Sequence, residues 1–225
     1  MKNKIAEILK SGGIGVLPTD TIYGLVGSAL RPEAVARIYR VRRRDSRKPL
    51  IILISSVNDI SGFGIRISPR NKRIMEKIWP GKISAILPIK GGKFSYLHRG
   101  IKSLAFRLPD KKSLLEILRK TGPLVAPSAN PAGLPPAENI KEAREYFGGG
   151  VDFYSSGKGL SGQSTILDLS GRKPAVLREG SGLYKCRHCG FHYRQKAFAS
   201  GCARWHAVHK GANPRLAVSA IESIK

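Results

Sequence analysis

The sequence predicts an α/β fold, with one sheet covered by helices on both sides and a small appendage at the carboxyl end. Helical and strand-like segments alternate along most of the chain, and several strands are continuous apolar runs. Runs of that kind are typical of strands buried on both faces of a sheet. After residue 182 the composition changes, because aromatic residues, cysteines and histidines crowd together there. This change predicts the appendage.

Glycine and proline separate the elements of the first half. A short helix with apolar residues at helical spacing ends at Gly12 and Gly13, and the buried strand that follows ends at Pro18. After a loop, the second helix runs into a basic segment, residues 40–48, and Pro80 ends the third helix. The predicted elements are helices 5–9, 32–39 and 69–79, strands 14–17, 50–54 and 83–89, and a loop at 18–25.

The second half continues the alternation. Asp110 is a favourable helix cap, so a helix is predicted from residue 111 onward. The predicted elements are helices 111–120 and 139–147 and strands 103–108, 124–126, 151–154, 165–169 and 175–177. The domain boundaries that follow are a main domain at 1–182, a metal-binding module at 183–212 and a carboxyl-terminal tail at 213–225.

Length and composition narrow the class of protein. A chain of 225 residues with 41% hydrophobic residues can bury a sizeable core. No apolar run reaches the roughly 18 residues that a membrane span needs. The first residues lack the apolar core and cleavage site of a signal peptide. We therefore expect a cytoplasmic protein without a membrane partner.

The formal net charge of +25 has two interpretations. It is either a solubility device, or the mark of a surface that polyanions approach, such as nucleotide phosphates, RNA or both. Charge alone does not choose between them.

Two segments next to predicted strands carry candidate ligand-binding side chains. The basic segment 40–48 lies between a helix and a buried strand, and arginine forks match phosphate oxygens in a bidentate way. The turn 127–130 follows a short apolar strand, so its serine and asparagine are expected at the strand's carboxyl end. The alternative interpretations are a solvated helix end for the first segment and an ordinary turn for the second.

Seven motifs, taken in order, make residues 5–180 resemble the YrdC family, the L-threonylcarbamoyladenylate synthases. They are PTDTIYGL at 18–25, a KxR-type element at 42–44 followed by Pro49 and Leu50, WPG at 79–81, LAFRLPD at 104–110, SAN at 128–130, STILDLS at 164–170 and VLREG at 176–180. Each motif is weak by itself, and the order and spacing of all seven make the signal strong.

The resemblance implies a twisted open sheet with a large, positively charged concave face. It also implies a reaction in which threonine, bicarbonate and ATP with magnesium give threonylcarbamoyl-AMP and pyrophosphate. A downstream threonylcarbamoyl transferase would then use the product to modify adenosine in tRNA. The roles that the resemblance implies are Arg42 and Arg44 for catalysis, Thr21 and Arg107 for threonine, and Arg44, Lys48, Ser128, Asn130, Ser164 and Arg178 for the nucleotide.

Four positions depart from the family pattern. Arg42 stands where the KxR element begins with lysine, and Asp45 replaces the proline that usually follows it. Pro136 replaces a serine that touches the nucleotide in many members, and Leu53 replaces a histidine of the longer members. Arginine keeps the charge of lysine but changes its reach and geometry.

The three cysteines fall in the appendage with the spacing C-x2-C-x12-C-x3-H. This is the spacing of a ββα zinc finger with cysteine in the third ligand place, which assigns Cys186, Cys189, Cys202 and His206 to zinc. His209 competes as the fourth ligand, and a chance cluster in a basic tail is the alternative. Tyr184 and Tyr193 stand at positions that suit a finger's small core, and nearby cations suggest contact with RNA or DNA.

Three functions remain open at this point. The first is the synthase, and the second is a non-catalytic protein that binds tRNA or another RNA. The third is a carbamoyltransferase accessory domain, since YrdC-like domains also occur in hydrogenase-maturation proteins.

Overall fold

The computed structural model describes residues 2–45, 47–157 and 162–223, so Ser46 of the basic segment lies outside the described residues. The helices are α1 Lys2–Lys10, α2 Pro32–Val41, α3 Pro69–Ile78, α4 Ser95–His98, α5 Lys112–Thr121, α6 Ile140–Phe147, α7 Lys196–His209 and α8 Pro214–Ala217. The strands are β1 Ile14–Pro18, β2 Tyr23–Ser28, β3 Ile51–Leu53, β4 Ile83–Pro88, β5 Ser103–Arg107, β6 Leu124–Val125, β7 Phe153–Tyr154, β8 Thr165–Asp168, β9 Ala175–Arg178, β10 Tyr184–Lys185 and β11 His192–Tyr193.

A mixed sheet forms the centre of the molecule, in the order β7-β1-β2-β6-β3-β5-β4-β8-β9. The pairs β1–β7, β3–β5 and β4–β8 are parallel, and the remaining neighbours are antiparallel. Helices α2 and α3 belong to the larger core on one face, whereas α1 and α5 pack into the core on the other. The prediction of an α/β sheet covered on both sides is confirmed.

Strand β2 is the strand of the central sheet that sequence reasoning missed, because residues 18–25 were expected to be a loop. The strand pairs with β1 from Tyr23 onward, and its glycines hide the strand pattern. A Cβ atom at Gly24 would lie 3.0 Å from Thr19, and one at Gly27 would lie 2.9 Å from Ile14. Close packing therefore explains glycines that looked like turn residues.

The start of α5 differs from the prediction. The N-cap residue is Lys111 rather than Asp110, and its side chain makes no capping hydrogen bond. The Asp110 backbone N–H donates to Asp20 instead, at 3.4 Å. Tertiary contacts near the cleft, rather than a local cap, thus decide where this helix begins.

The appendage has the predicted ββα order. Strands β10 and β11 form an antiparallel pair, and α7 follows. Leu183 and Ile221 are buried in the core of the main domain, and an Arg194 guanidinium nitrogen donates to the Ile78 carbonyl. The segment that was expected to be a tail therefore contains α8 and an anchor in the core, while the boundaries at 182 and 212 stay a prediction.

None of the helices in the described ranges combines the length and the apolar character that a membrane crossing would require.

Candidate functional site

A cleft of about 640 Å³, counting space open to solvent, lies where the PTDTIYGL segment meets the ends of several strands. Its described lining includes four arginines, Arg42, Arg44, Arg107 and Arg178, and no aspartate or glutamate. A cationic cleft without lining carboxylates is suited to an anionic ligand.

Arg42 is held in the wall of the cleft by the SAN turn. Its Nε donates to the Asn130 carbonyl at 2.8 Å, and its Nη2 donates to Ser128 Oγ and Asn130 Oδ1, both at 3.1 Å. Nη1 has no hydrogen-bond partner among the described residues. Burial, and then the neighbouring Arg44, lower the pKa of Arg42 to about 10, so the side chain stays charged at neutral pH. Arg42 is thus a fixed charge with one donor group left for a ligand.

The SAN turn that holds Arg42 is itself fixed to β2. The Leu25 N–H donates to the Pro127 carbonyl at 2.9 Å, and the Ala129 N–H donates to the Tyr23 carbonyl at 2.9 Å. Ser128 lines the cleft. The Asn130 amide lies outside the lining and donates to the Pro131 and Leu134 carbonyls, so it fixes the shape of the turn.

Arg44 and Lys48 occupy different positions in the loop between α2 and β3. Arg44 lines the cleft, and its guanidinium donates to the Lys48 and Pro49 carbonyls at 3.3 and 3.2 Å. Burial lowers the pKa of Arg44. Lys48 is exposed and lies outside the described lining. The loop therefore presents one arginine inside the cleft and one lysine outside it.

Two threonine hydroxyls that line the cleft are hydrogen-bonded to each other. Thr19 Oγ1 donates to the Ile22 carbonyl at 2.6 Å and lies 3.0 Å from Thr21 Oγ1. Because a hydroxyl has a single proton, Thr21 must be the donor between the two. The lone pairs of Thr21 Oγ1 are then left to accept hydrogen bonds from a ligand.

Asp20 is a buried residue beside the cleft that sequence reasoning did not single out. Its carboxylate lies 3.1 Å from Arg107 Nη2, and both side chains are at least 96% buried. Burial lowers the pKa of Arg107, and the charge of Asp20 opposes this effect. Lys111, also missed, donates to the Thr19 carbonyl at 3.0 Å. An acidic residue inside a conspicuous motif of a strongly basic chain was the signal that could have revealed Asp20.

Ser164 and Arg178 close the far side of the cleft as a unit. The Arg178 guanidinium donates to the Ser164 carbonyl at 2.8 Å and to Ser164 Oγ at 3.2 Å. Ser164 Oγ also lies 3.0 Å from Ser84 Oγ. Burial lowers the pKa of Arg178, and the nearby Arg107 lowers it further. The predicted site residues therefore meet in one cleft, with Lys48 and Asn130 at its margin.

The four residues that depart from the family pattern lie in different parts of the structure. Leu53, the last residue of β3, is fully buried in the core that α5 also packs into, away from the described cleft lining. Asp45 forms an exposed ion pair with Arg47, and Pro136 is half-buried. Of the four departures, only Arg42 belongs to the described lining of the cleft.

The comparison with known families gives a match over most of the chain. A family model that combines Sua5, YciO and YrdC, described as telomere recombination, matches residues 7–180. The chain belongs to the Sua5/YciO/YrdC family.

Curated relatives within this family carry a functional name. The threonylcarbamoyl-AMP synthase of Hahella chejuensis is 33% identical over 180 residues, which cover 78% of this chain and 96% of that protein. The synthase of Bacillus subtilis is 31% identical over 179 residues, which cover 78% of this chain and 52% of that protein. The chain thus spans only about half the length of the B. subtilis relative.

A solved structure of the family has the same fold. Sua5 of Pyrococcus abyssi complexed with L-threonine superposes with a TM-score of 0.73 at 29% identity. The match covers 81% of this chain and 54% of that chain. The YrdC-like fold expected from the motifs is confirmed.

Gly180, in the last of the family motifs, allows the backbone of Gln163 and Ser164 to approach closely. A Cβ atom at Gly180 would lie 2.5 Å from the Gln163 carbonyl oxygen and 2.8 Å from that of Ser164. Because these are backbone atoms, we expect Gly180→Ala to displace Ser164, lower the melting temperature and weaken ATP binding. Calorimetry of both properties checks this. Gly171→Ala is the control, because its Cβ would meet its nearest atom at 3.8 Å. Equal behaviour of the two variants would contradict the steric argument.

The cysteine cluster lies outside the part of the chain that the family model matches. The Sγ atoms of Cys186, Cys189 and Cys202 all lie within 4.8 Å of one another, and those of Cys189 and Cys202 are 3.6 Å apart. Burial raises the pKa of Cys186, but the backbone N–H groups of Cys189 and His188 bond to it and bring the pKa below its usual value. Three sulfur atoms held this close suit a thiophilic metal ion.

The two histidines that are candidates for the fourth ligand, His206 and His209, differ in their surroundings. His206 Nδ1 is buried without a hydrogen-bond partner among the described residues, and its ring stacks on His188 at 5.1 Å. His209 is exposed and stacks on Trp205 at 3.9 Å. Tyr193 is fully buried in the cluster, whereas Tyr184 is 44% exposed and does not belong to it. The expected packing role therefore holds for only one of the two tyrosines.

Proposed function

We propose that the chain is a threonylcarbamoyl-AMP synthase, which forms threonylcarbamoyl-AMP and pyrophosphate from threonine, bicarbonate and ATP. The observation that carries this proposal is the cleft, in which four arginines and two coupled threonine hydroxyls lie together. The names of the curated relatives and the threonine complex of P. abyssi Sua5 support the choice of substrates.

The proposed reaction needs little proton transfer from the protein. The threonine amine and bicarbonate combine with loss of water to give a carbamate. A carbamate oxygen then attacks the α-phosphorus of ATP, and the bond to pyrophosphate breaks. Catalysis then depends on positioning the reactants and neutralising the charge of the phosphates, which buried arginines can supply.

The residue roles that we propose are those that the family resemblance implies, and the positions of the side chains support them. Thr21 accepts a hydrogen bond from threonine, and Arg107, already oriented by Asp20, binds the threonine carboxylate. Arg42 and Arg44 bind the phosphates where charge develops. Lys48 reaches the phosphate tail from outside the cleft, and Asn130 acts through Arg42. Ser128, Ser164 and Arg178 complete the nucleotide pocket.

Magnesium enters this proposal as part of the ATP complex. The described residues that line the cleft provide no carboxylate ligand, so the phosphates and water would hold the ion. Bound there, magnesium would neutralise the charge of the leaving pyrophosphate.

Arg44→Ala tests the catalytic assignment. We expect threonine-dependent release of pyrophosphate from ATP to fall about 100-fold or more, because a cation that faces the transferred group is lost. Arg47→Ala is the matched control, since Arg47 is exposed in the same loop. Unchanged turnover in Arg44→Ala would overturn this role. Wild-type protein that releases no pyrophosphate with threonine would favour the non-catalytic alternative, and turnover with carbamoyl phosphate instead would favour the accessory domain.

For the cysteine cluster we propose zinc, held by Cys186, Cys189, Cys202 and His206. In a tetrahedral zinc site with Zn–S bonds of about 2.3 Å, the sulfur atoms lie about 3.8 Å apart. The Cys189–Cys202 separation of 3.6 Å is close to this value. The unpartnered His206 Nδ1, one helical turn after Cys202, is the group that favours His206 over His209.

The proposed product defines the remaining partners. An acyl-adenylate is an activated acyl donor, so a downstream threonylcarbamoyl transferase acting on tRNA would consume it. We propose that both proteins act in the cytoplasm.

A further inference from the structure

A second cationic groove lies on the appendage, between strand β10 and helix α7. Its walls carry four cations, Lys185, Arg187, Lys196 and Arg204, together with the exposed ring of Tyr184. The described lining contains no aspartate or glutamate. The groove is therefore a basic surface with an aromatic ring, separate from the catalytic cleft.

The cations of the groove differ in whether their side chains already have an ion-pair partner. Lys185 forms an ion pair with Glu179 at 2.8 Å. No hydrogen bond or ion pair connects the side chains of Arg187, Lys196 and Arg204 to other described residues. Three cations of the groove are thus left to bind an anionic partner.

The floor of the groove allows a close approach. Ala199, Ser200 and Ala203 lie at helical spacing on the face of α7 between Lys196 and Arg204. Ala199 and Ala203 are buried, and none of the three has a long side chain to fill the groove. A flexible polymer could lie between the cations, with a flat group against the tyrosine.

We infer that this groove binds single-stranded RNA, with Tyr184 stacking on a base and Arg187, Lys196 and Arg204 binding phosphates. Cationic grooves with aromatic platforms are typical of sites that bind single strands, because every base offers a face for stacking. A paired duplex would leave the ring of Tyr184 without a base to stack on. The inference extends the proposed function, in which RNA finally receives the acyl group.

Two variants of the whole chain test base stacking and phosphate binding separately. The probe is a fluorescein-labelled, unstructured RNA of about 12 nucleotides, measured by anisotropy over a series of salt concentrations. We expect Tyr184→Ala to weaken binding about 5- to 150-fold, which corresponds to the loss of one stacked base. We expect the double variant Lys196→Ala, Arg204→Ala to reduce the slope of log K against log salt by about 1.4.

The matched control is the double variant Lys4→Ala, Lys10→Ala, which removes the same charge. Both lysines are exposed on α1, which packs on α5 and β2, toward the other end of the sheet from the appendage. Equal losses in the two double variants would mean that only the overall charge attracts RNA, and would overturn the groove. Tighter binding of a duplex or of a poly-glutamate peptide than of the single strand would also overturn it.

Pyrophosphate release distinguishes this inference from the proposed function. None of the groove residues lines the cleft, so we expect the groove variants to keep the wild-type rate. RNA binding by a protein that does not release pyrophosphate would support the groove and reject the synthase. Normal release of pyrophosphate by a protein that does not bind RNA would support the synthase and reject the groove.

Discussion

Arg42→Ala is expected to reduce threonine-dependent pyrophosphate release by about 100- to 1,000-fold, the usual cost of losing a preorganised charge that faces the transition state. The loss has two sources. The guanidinium charge disappears from the cleft wall, and the acceptors on Ser128 and Asn130 lose their donor. The second effect is expected to lower the free energy of unfolding by about 1–3 kcal/mol. Turnover assays and chemical denaturation measure the two effects separately.

Two further variants separate charge from structure at this position. Arg42→Lys retains the cation that the family motif uses, so we expect it to keep more activity than Arg42→Ala. Arg40→Ala removes an exposed arginine from the last turn of α2, just before Arg42, and is expected to leave turnover unchanged. If Arg42→Lys were as inactive as Arg42→Ala, the hydrogen bonds to the SAN turn rather than the charge would account for the loss. Full activity in Arg42→Ala would contradict the role of Arg42 altogether.

Cys202→Ser is expected to reduce the zinc content of the protein from about one ion per chain to near zero. Metal binding contributes about 10–16 kcal/mol to small zinc modules, and the described part of the appendage core contains six buried residues. The appendage should therefore lose its fold while the main domain keeps its own. Elemental analysis gives the zinc content, and amide hydrogen exchange over residues 184–209 reports the local unfolding.

The histidines provide a matched pair for this test. His206→Ala is expected to weaken zinc binding, because it removes a buried, unpartnered Nδ1 one helical turn after Cys202. His209→Ala changes only an exposed ring on the same helix and should keep the metal. The reverse result would assign the fourth ligand to His209. Zinc content near zero in wild-type protein purified without chelator would reject the metal site.

Much of the cleft was predictable because its residues belong to motifs of the family. The basic segment that contains Arg42 could be recognised as chemically suited to phosphates, and the resemblance implied nucleotide contacts for Ser128 and Arg178. The structure brings all three residues to one cleft. The exclusion of Asn130 from the lining was not predictable in this way. Whether an amide faces a ligand or its own turn depends on neighbours that are distant in sequence.

Asp20 and strand β2 show the same limit of prediction from sequence, because both depend on neighbours that are distant along the chain. The ion pair between Asp20 and Arg107 joins residues 87 positions apart, and no local pattern announces it. Strand β2 was missed because its glycines weaken the local strand signal, and the need for them arises from the side chains of β1 and α2.

The sequence by itself determined the α/β class, the order of the family motifs and the ligand spacing of the appendage, because these depend on short-range periodicity and residue type. Only the tertiary structure decided which cations face the cleft and which carboxylate orients Arg107. It also decided that His206 Nδ1 is buried without a hydrogen-bond partner among the described residues. The physical reason is that burial and hydrogen-bond satisfaction are properties of the packed chain, since each depends on atoms brought together from distant segments.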